Sequence, residues 1–404
     1  MKRTFEQVKK LREDRLARFL ITGATGFLGS HTAVAMLQRG YRVVLFCRPD
    51  RTGSAAARVE RMLNWFNIDM NHYRDRITVI GGDLSRRDLG IDTRTRKSLQ
   101  SGVDEIIHCA ASTSFSAKNR AELKTANVGI LENILSIFGP RDSKISTFHH
   151  ISTIYVCGKT GSVFEEVPAG GGRFYNPYEE TKFEGEQYVS SRFPAAGIHV
   201  NIYRPAIVYG HSLTGRSSLF NAVYYPVKMA LFLKNTYLKD IRERGGIRAA
   251  EMGVTESPDH SVHLPIRIEK REGGEINLIP VDFYTAAFVE LMENAAEPGI
   301  FHIISNSPSS MEEITCFFSR SFNVTGLRAV SSDDMAGTPK NALEIIFDDY
   351  LEIYGPYIRD VRRFGNRVAG QILRTKKINC PRFDLNVFSR CMDYAVSVNW
   401  KKPW

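Results

Sequence analysis

The chain has 404 residues, a formal net charge of +10, 43% hydrophobic residues and 24% charged residues. That length exceeds the ~150 residues that one compact core usually organises, so a large domain and a smaller one are expected, and the composition excludes disordered and collagen-like chains. The positive balance suits an anionic partner such as a nucleotide, coenzyme A or an acidic carrier protein, and no nucleic-acid motif accompanies it.

No uncharged apolar run reaches the ~18 residues a spanning helix needs, so no transmembrane segment is expected. The six cysteines, Cys47, Cys109, Cys157, Cys316, Cys380 and Cys391, form no close pairs. Neither a zinc site nor a disulfide framework is suggested, and a reducing cytoplasm fits best.

In chain order, residues 1–17 are charged almost throughout, with Phe5, Val8, Leu11 and Leu16 at near-helical spacing. They read as a basic helix packed on a domain edge, with peripheral membrane contact as the functional alternative, and they lack the apolar core of a signal peptide. Arg18–Thr22 is a short apolar strand. Gly23-Ala24-Thr25-Gly26-Phe27-Leu28-Gly29 follows it and opens onto a helix from Ser30 to Gln38. Strand, glycine loop and helix make the dinucleotide-binding arrangement: glycines allow a tight turn and close backbone approach, while the helix start offers unpaired amides. The spacing is G-x-x-G-x-x-G rather than G-x-G-x-x-G.

A second strand, Tyr41–Phe46, runs into Cys47-Arg48-Pro49 at the point where an NAD enzyme usually places an acid for the ribose hydroxyls. Arg48 therefore favours NADP, because a guanidinium holds a 2′-phosphate by forked, charge-assisted hydrogen bonds. Residues 54–76 read as a helix and a loop, and Ile77–Ile80 as a third strand that turns at Gly82-Asp83-Leu84. Val103–His108 is a fourth, followed by the small residues Ala110 and Ala111. His149-His150 invites a metal reading, which fails because neighbouring strand residues face opposite ways and no third ligand is suitably spaced.

The central stretch is Ile151-Ser152-Thr153-Ile154-Tyr155-Val156, a buried strand ending in hydroxyl residues, followed by a helix that starts near Pro177. Tyr178 and Lys182 lie four apart on that helix, so the ammonium is expected beside the phenol, lowering its pKa until it trades protons near neutrality. Gly197–Tyr203 is another strand. Residues 220–238 are apolar and aromatic and 239–271 highly charged; Glu275–Asp282 is expected to return to the main sheet, and Phe301–Ile304 to close it. Helices are expected over 341–357 and 387–398.

Taken in order, Thr22–Gly29, Gly82-Asp83-Leu84, His108–Ala111, Asn127-Val128, the Thr153/Tyr178/Lys182 set and Arg204-Pro205 resemble the extended short-chain dehydrogenase/reductases. Within that superfamily the chain is most similar to the thioester reductases and fatty acyl-CoA reductases. The likeness covers residues 16–305 well and then rests on Arg382-Phe383-Asp384, Asn386 and Asp393–Val396. It implies an α/β fold, a Rossmann doubly wound parallel sheet over 18–210 and 275–305, with a smaller, mainly helical substrate domain from 211–274 and 306–404 beyond the 1–17 helix.

The resemblance also implies roles. Thr153, Tyr178 and Lys182 would be catalytic, Thr153 being selected by counting back from Gly158, with Ser152 still open. NADPH would lie on Thr22, Gly23, Thr25, Gly26, Phe27, Leu28 and Gly29, with Arg48 and a second arginine, Arg58, on its 2′-phosphate. Asp83 and Leu84 would border the adenine, Ala110 and Ala111 would lie against the cofactor, Asn127 would brace the backbone, Pro205 would line the nicotinamide pocket, and Lys182 would also grip the ribose. Ser112, Thr113, Ser114 and Arg216 would approach the substrate. The implied activity is NADPH-dependent reduction of an acyl thioester, on coenzyme A or an acidic acyl carrier protein, to an aldehyde and, with a second hydride, to an alcohol. Fold and triad do not fix the substrate, so a dehydrogenase of alcohols, ketones, steroids or sugar nucleotides stays open, as does a silent NADP-binding protein, against which the intact triad argues.

Overall fold

Runs such as Phe19-Leu20-Ile21 and Val43-Val44-Leu45-Phe46 are apolar on both faces, the pattern of strands covered by helices on either side. In the computed structural model, which describes residues 2–51, 53–159 and 163–404, these runs lie at the centre of a seven-stranded sheet. Its strands are β1 (Arg18–Thr22), β2 (Arg42–Cys47), β3 (Ile77–Gly81), β4 (Glu105–His108), β5 (Thr147–Ile151), β6 (His199–Pro205) and β7 (Ile300–Ile303). All six pairings are parallel, in the spatial order β3-β2-β1-β4-β5-β6-β7. This is the doubly wound Rossmann sheet. The order reverses between β1 and β4, and at that switch point a crevice opens at the carboxyl ends of the strands.

The longer helices include α1 (Phe5–Glu13), α2 (Phe27–Gln38), α3 (Ala55–Trp65), α4 (Pro177–Ala195), α5 (Tyr224–Glu243), α6 (Val281–Asn294), α7 (Met311–Phe322), α8 (Ala342–Leu351), α9 (Arg367–Thr375) and α10 (Leu385–Ser397). Strand alternation splits the core in two. Phe19, Ile21, Val43 and Leu45 pack with residues of α2 and α6 on one face, while Leu20, Val44, Ile106 and Phe148 pack with Val189 and Phe193 of α4 on the other. Each fully buried side chain of this kind contributes about 1.5–3 kcal/mol. A third apolar cluster joins α5, α7, α8 and α10.

Helix α1 is more than a cover. Thr4 and Gln7 form its capping box, and Arg12 passes from it beneath the sheet. There Arg12 Nε donates to Glu105 Oε1 at 2.7 Å, and Nη1 donates to the Met292 carbonyl at 2.7 Å. His149 Nε2 completes the carboxylate at 2.8 Å, and Tyr203 donates to His149 Nδ1 at 3.0 Å. His150, pointing the other way, stacks on His108 with ring centroids 5.7 Å apart. Met1, the first residue of the expected 1–17 helix, lies outside the described residues.

Three local expectations are corrected. The strand expected over Ile151–Val156 ends at Ile151, and Ile154–Cys157 is a tight helical turn capped by Thr153. Residues 275–282 do not rejoin the main sheet: Leu278–Pro280 pairs with Ile207–Tyr209 in a separate two-stranded ribbon. Ala206 N still bonds to Ile303 O, but Ile207 N bonds to Asn277 O at 3.2 Å, so the chain changes partner as it peels away from β6. The helix expected over 341–357 is divided. An Asn341/Glu344 capping box starts α8, which ends at Leu351, and Gly355-Pro356 begins a separate turn to Ile358 because proline cannot donate to a continuing ladder.

Candidate active site

The crevice starts at the glycine loop. Helix α2 has Gly26 at its N-cap and no side-chain cap, so its first amides face the crevice with the positive end of the helix dipole. Gly23 sits at φ +66°, and a Cβ there would lie 2.7 Å from Ala110 N, at the exit of β4. A Cβ at Gly29 would overlap the Gly23 carbonyl. Loop, helix and neighbouring strand thus meet backbone to backbone, and the bare amides with small residues opposite fit a dinucleotide pyrophosphate. Gly29→Ala is expected to weaken binding of a nicotinamide dinucleotide at least about tenfold, a loss of about 1.4 kcal/mol, in a calorimetric titration. Unchanged affinity would show that the loop does not carry the nucleotide.

At the end of β2, Arg58 reaches back from α3. Its Nη2 donates to Thr25 Oγ1 at 3.1 Å, Nη1 to the Arg48 carbonyl, and Nε pairs with Asp50 at 3.0 Å. Arg48 itself is exposed. Burial works to raise the Asp83 carboxyl, but hydrogen bonds from Ser85 and the charge of Arg48 hold it below the ordinary carboxylate value. Leu84 accepts from Asn133 Nδ2 at 2.9 Å. Thr22 is internal, its hydroxyl 2.8 Å from His108 Nδ1.

Asn127 lies in a π turn, Thr125–Gly129, a widened helical turn often found at functional sites. It accepts from Ser112 N at 2.8 Å, donates to Ser112 O at 3.0 Å and donates to Thr181 Oγ1 at 3.0 Å, so it ties the loop after β4 to α4. Ser114 accepts from Ser116 N at 3.4 Å within that loop.

Helix α4 is fixed by Asn176, whose Oδ1 accepts from Glu179 N at 3.0 Å, and by Pro177 in its first turn. This aims Tyr178 and Lys182 at the ends of β4 and β5. Thr153 caps the short turn Ile154–Cys157 that leaves β5, and Ser152 beside it has a buried hydroxyl without a partner among the described residues. Burial raises the Tyr178 phenol well above its ordinary value; the Glu179 charge adds to this and a hydrogen bond with Thr153 opposes it. Lys182 Nζ donates to the Ile151 carbonyl at 2.6 Å, and burial brings its ammonium down to about 8. The lowered phenol expected from Lys182 is therefore not found: desolvation dominates, and the ammonium is engaged by the end of β5.

One cavity of about 380 Å³ gathers Gly26, Phe27, Leu28, Gly29, Ala111, Thr113, Thr153, Tyr178, Lys182 and Pro205. Its far wall is apolar, with Val227 and Ala230 of α5, Phe318 of α7, and Phe347 and Leu351 of α8. Arg48, Arg58, Asp83 and Leu84 stand outside it on the side of β2 and β3. Arg216 is also outside: it donates to the Trp65 carbonyl and lies over the Trp65 ring, 4.2 Å from its centroid. Ser152 lines the cavity beside Thr153.

Sequence reasoning passed over Tyr357, Asp360 and Arg362, which stand behind Tyr178. Tyr357 donates to Glu179 Oε1 at 2.8 Å, Arg362 donates to the Gly158 carbonyl at 3.0 Å and pairs with Asp360, and Phe115 lies 5.8 Å from the Tyr178 ring. Tyr357, Asp360 and Arg362 come from a segment with no motif, and only the uncommon run of acid and base around 359–363 marks it in the sequence.

A family model described as male sterility protein, of NAD-binding type, matches residues 21–288. Among curated proteins, the chain is 23% identical over 385 residues to the L-2-aminoadipate reductase large subunit of Eremothecium gossypii, covering 85% of this chain and 27% of that protein. It is 25% identical over 395 residues to a linear gramicidin synthase polypeptide of Brevibacillus parabrevis, covering 93% of this chain and 7% of that one. The chain therefore spans a small part of the length of these relatives. In fold it is similar to the terminal R domain from the myxalamid PKS-NRPS biosynthetic pathway, with a TM-score of 0.72 at 20% identity over 96% of this chain and 92% of that one. Among the described residues no helix is long and apolar enough to cross a membrane.

Proposed function

The chain belongs to the male sterility protein family of NAD-binding enzymes, and from that premise we propose that it is an NADPH-dependent reductase of acyl thioesters, releasing an aldehyde and a free thiol. The observation that carries this reading is the convergence of Thr153, Tyr178 and Lys182 on a cavity with the glycine loop at one end and an apolar wall at the other. The bare loop suits the cofactor and the wall suits an apolar acyl group. The net charge of +10 suits an anionic donor, whether coenzyme A or an acidic carrier protein.

NADPH, when bound, supplies the hydride. The residues do the rest. Thr153 and Tyr178 hydrogen-bond the thioester carbonyl oxygen, where negative charge collects in the transition state. A phenol raised by burial stays protonated through neutrality, which is the form that donates, and Tyr178 gives its proton to that oxygen. Lys182 holds the end of β5 through Ile151 and places a positive charge in the crevice. The thiohemiacetal then returns a proton from its hydroxyl to the departing sulfur as the C–S bond breaks, leaving aldehyde and thiol. The Tyr357 and Arg362 contacts keep Glu179 and the Gly158 turn in place behind the phenol.

The test is NADPH oxidation with a panel of acyl-coenzyme A and acyl-carrier thioesters, with released thiol titrated in parallel. One thiol released per aldehyde formed is expected, with a preference for apolar acyl groups. Oxidation of NADPH with ketones or aldehydes only, and no thiol release, would overturn the reading.

A further inference from the structure

We infer that the segment Lys401–Trp404 completes the nucleotide site, with Lys402 as a further cation for the 2′-phosphate of NADPH; this rests on the NADPH reading above. After α10 the chain turns back on Asn399 and Trp400, both in the left-handed region at φ +50° and +55°. Residues other than glycine rarely take that conformation, so surrounding contacts hold the turn. It delivers the segment onto the glycine loop. Lys402 Nζ and Trp404 Nε1 both donate to the Thr25 carbonyl, at 3.2 and 3.1 Å. The Trp404 ring lies 4.9 Å from the Trp65 ring at the end of α3, so the segment is anchored on the helix that also carries Arg58.

Lys402 and Arg58 thus meet on the two sides of Thr25, one through its carbonyl and the other through its hydroxyl. The groups that face Lys402 are Arg58, Asp50 and Cys47. Asp50 already pairs with Arg58. Burial and then the Arg58 charge bring the Lys402 ammonium below its ordinary value, as expected of two cations in one place with one carboxylate between them. A phosphate monoester carrying about two negative charges matches that excess. The position, beside the loop after β1 and at the end of β2, is where the adenine ribose lies in this fold. NADH brings no charge there, so Lys402 discriminates between the two nucleotides and does not merely attract either.

The test is a fluorescence titration of the full chain with NADPH and with NADH, comparing wild type, Lys402→Gln and Lys402→Arg. Lys402→Gln is expected to weaken NADPH about tenfold, the order of one charge-assisted hydrogen bond, and NADH less than about twofold, with Lys402→Arg close to wild type. Equal weakening of both nucleotides would reduce Lys402 to a prop for the loop and overturn the inference, as would unchanged NADPH affinity. If wild type itself binds NADH as tightly as NADPH, the NADPH reading fails first. Thermal unfolding of the variants, expected to match wild type, separates a local effect from loss of fold.

Discussion

Tyr178→Phe is expected to lower the rate of acyl-thioester reduction by about 10²–10⁴ while leaving NADPH affinity within about twofold of wild type. The substitution removes one hydroxyl and keeps the ring, which packs 5.8 Å from Phe115, so the cavity wall survives. In the proposed mechanism this removes the proton donor and one of two hydrogen bonds to the developing oxyanion. The effect should fall on kcat, because the bond is strongest in the transition state. Rate should also decline above about pH 8 as Lys182, its ammonium brought down by burial, loses its proton. The phenol is raised instead and remains protonated there, so a decline centred near pH 8 points to the lysine. A variant that retains wild-type thiol release would remove Tyr178 from the mechanism, and stopped-flow measurement of NADPH absorbance is sufficient to see it.

Arg12→Ala is expected to cost about 3–5 kcal/mol of stability, read as a lower denaturant midpoint, without any contact with the crevice. Arg12, Glu105 and His149 are all buried, and truncating the arginine leaves a carboxylate under the sheet without its cation. Burial alone would raise the Glu105 carboxyl, but the Arg12 guanidinium, aided by a hydrogen bond from His149, holds it at about 2 against an ordinary 4.5. A carboxyl depressed on folding stabilises above its unfolded pKa and loses that contribution as pH falls through the folded one, so here the loss runs from pH 4.5 down to about 2. In the variant the sign reverses. Burial then raises the carboxyl, the folded state takes up a proton before the unfolded chain does, and the deficit narrows as pH falls from about 8 toward about 5. An equal deficit at both pH values would show that lost packing, not the stranded charge, sets the cost.

The Rossmann sheet is legible because its signals are local. Apolar strands, the loop from Gly23 to Gly29, the exit from β2 at Arg48 and the start of α4 at Pro177 each bring their backbone requirements with them, and their order fixes which of them surround the switch point. Spacing also brings Tyr178 and Lys182 onto one stretch of helix, and the turn that leaves β5 brings Thr153 to the same cavity.

Spacing could not give the electrostatics. Four residues apart on a helix suggests an ammonium beside a phenol, whereas Lys182 turns to the Ile151 carbonyl and the desolvated phenol rises. Arg216 looks like an anion ligand in a loop; tertiary packing lays it over Trp65. Glu275–Asp282 has the composition of a sheet strand, yet its partner, Ile207–Tyr209, depends on where β6 peels away. Arg12 reads as one more charge on a surface helix, and Lys402 belongs to no motif, because burial and neighbours lie hundreds of residues away along the chain. The sequence by itself determined the elements and the residues presented at the strand ends, since those depend on short-range periodicity and backbone freedom. Only the tertiary structure decided which charges are buried and which of them pair, since desolvation and Coulomb interactions depend on distance in space.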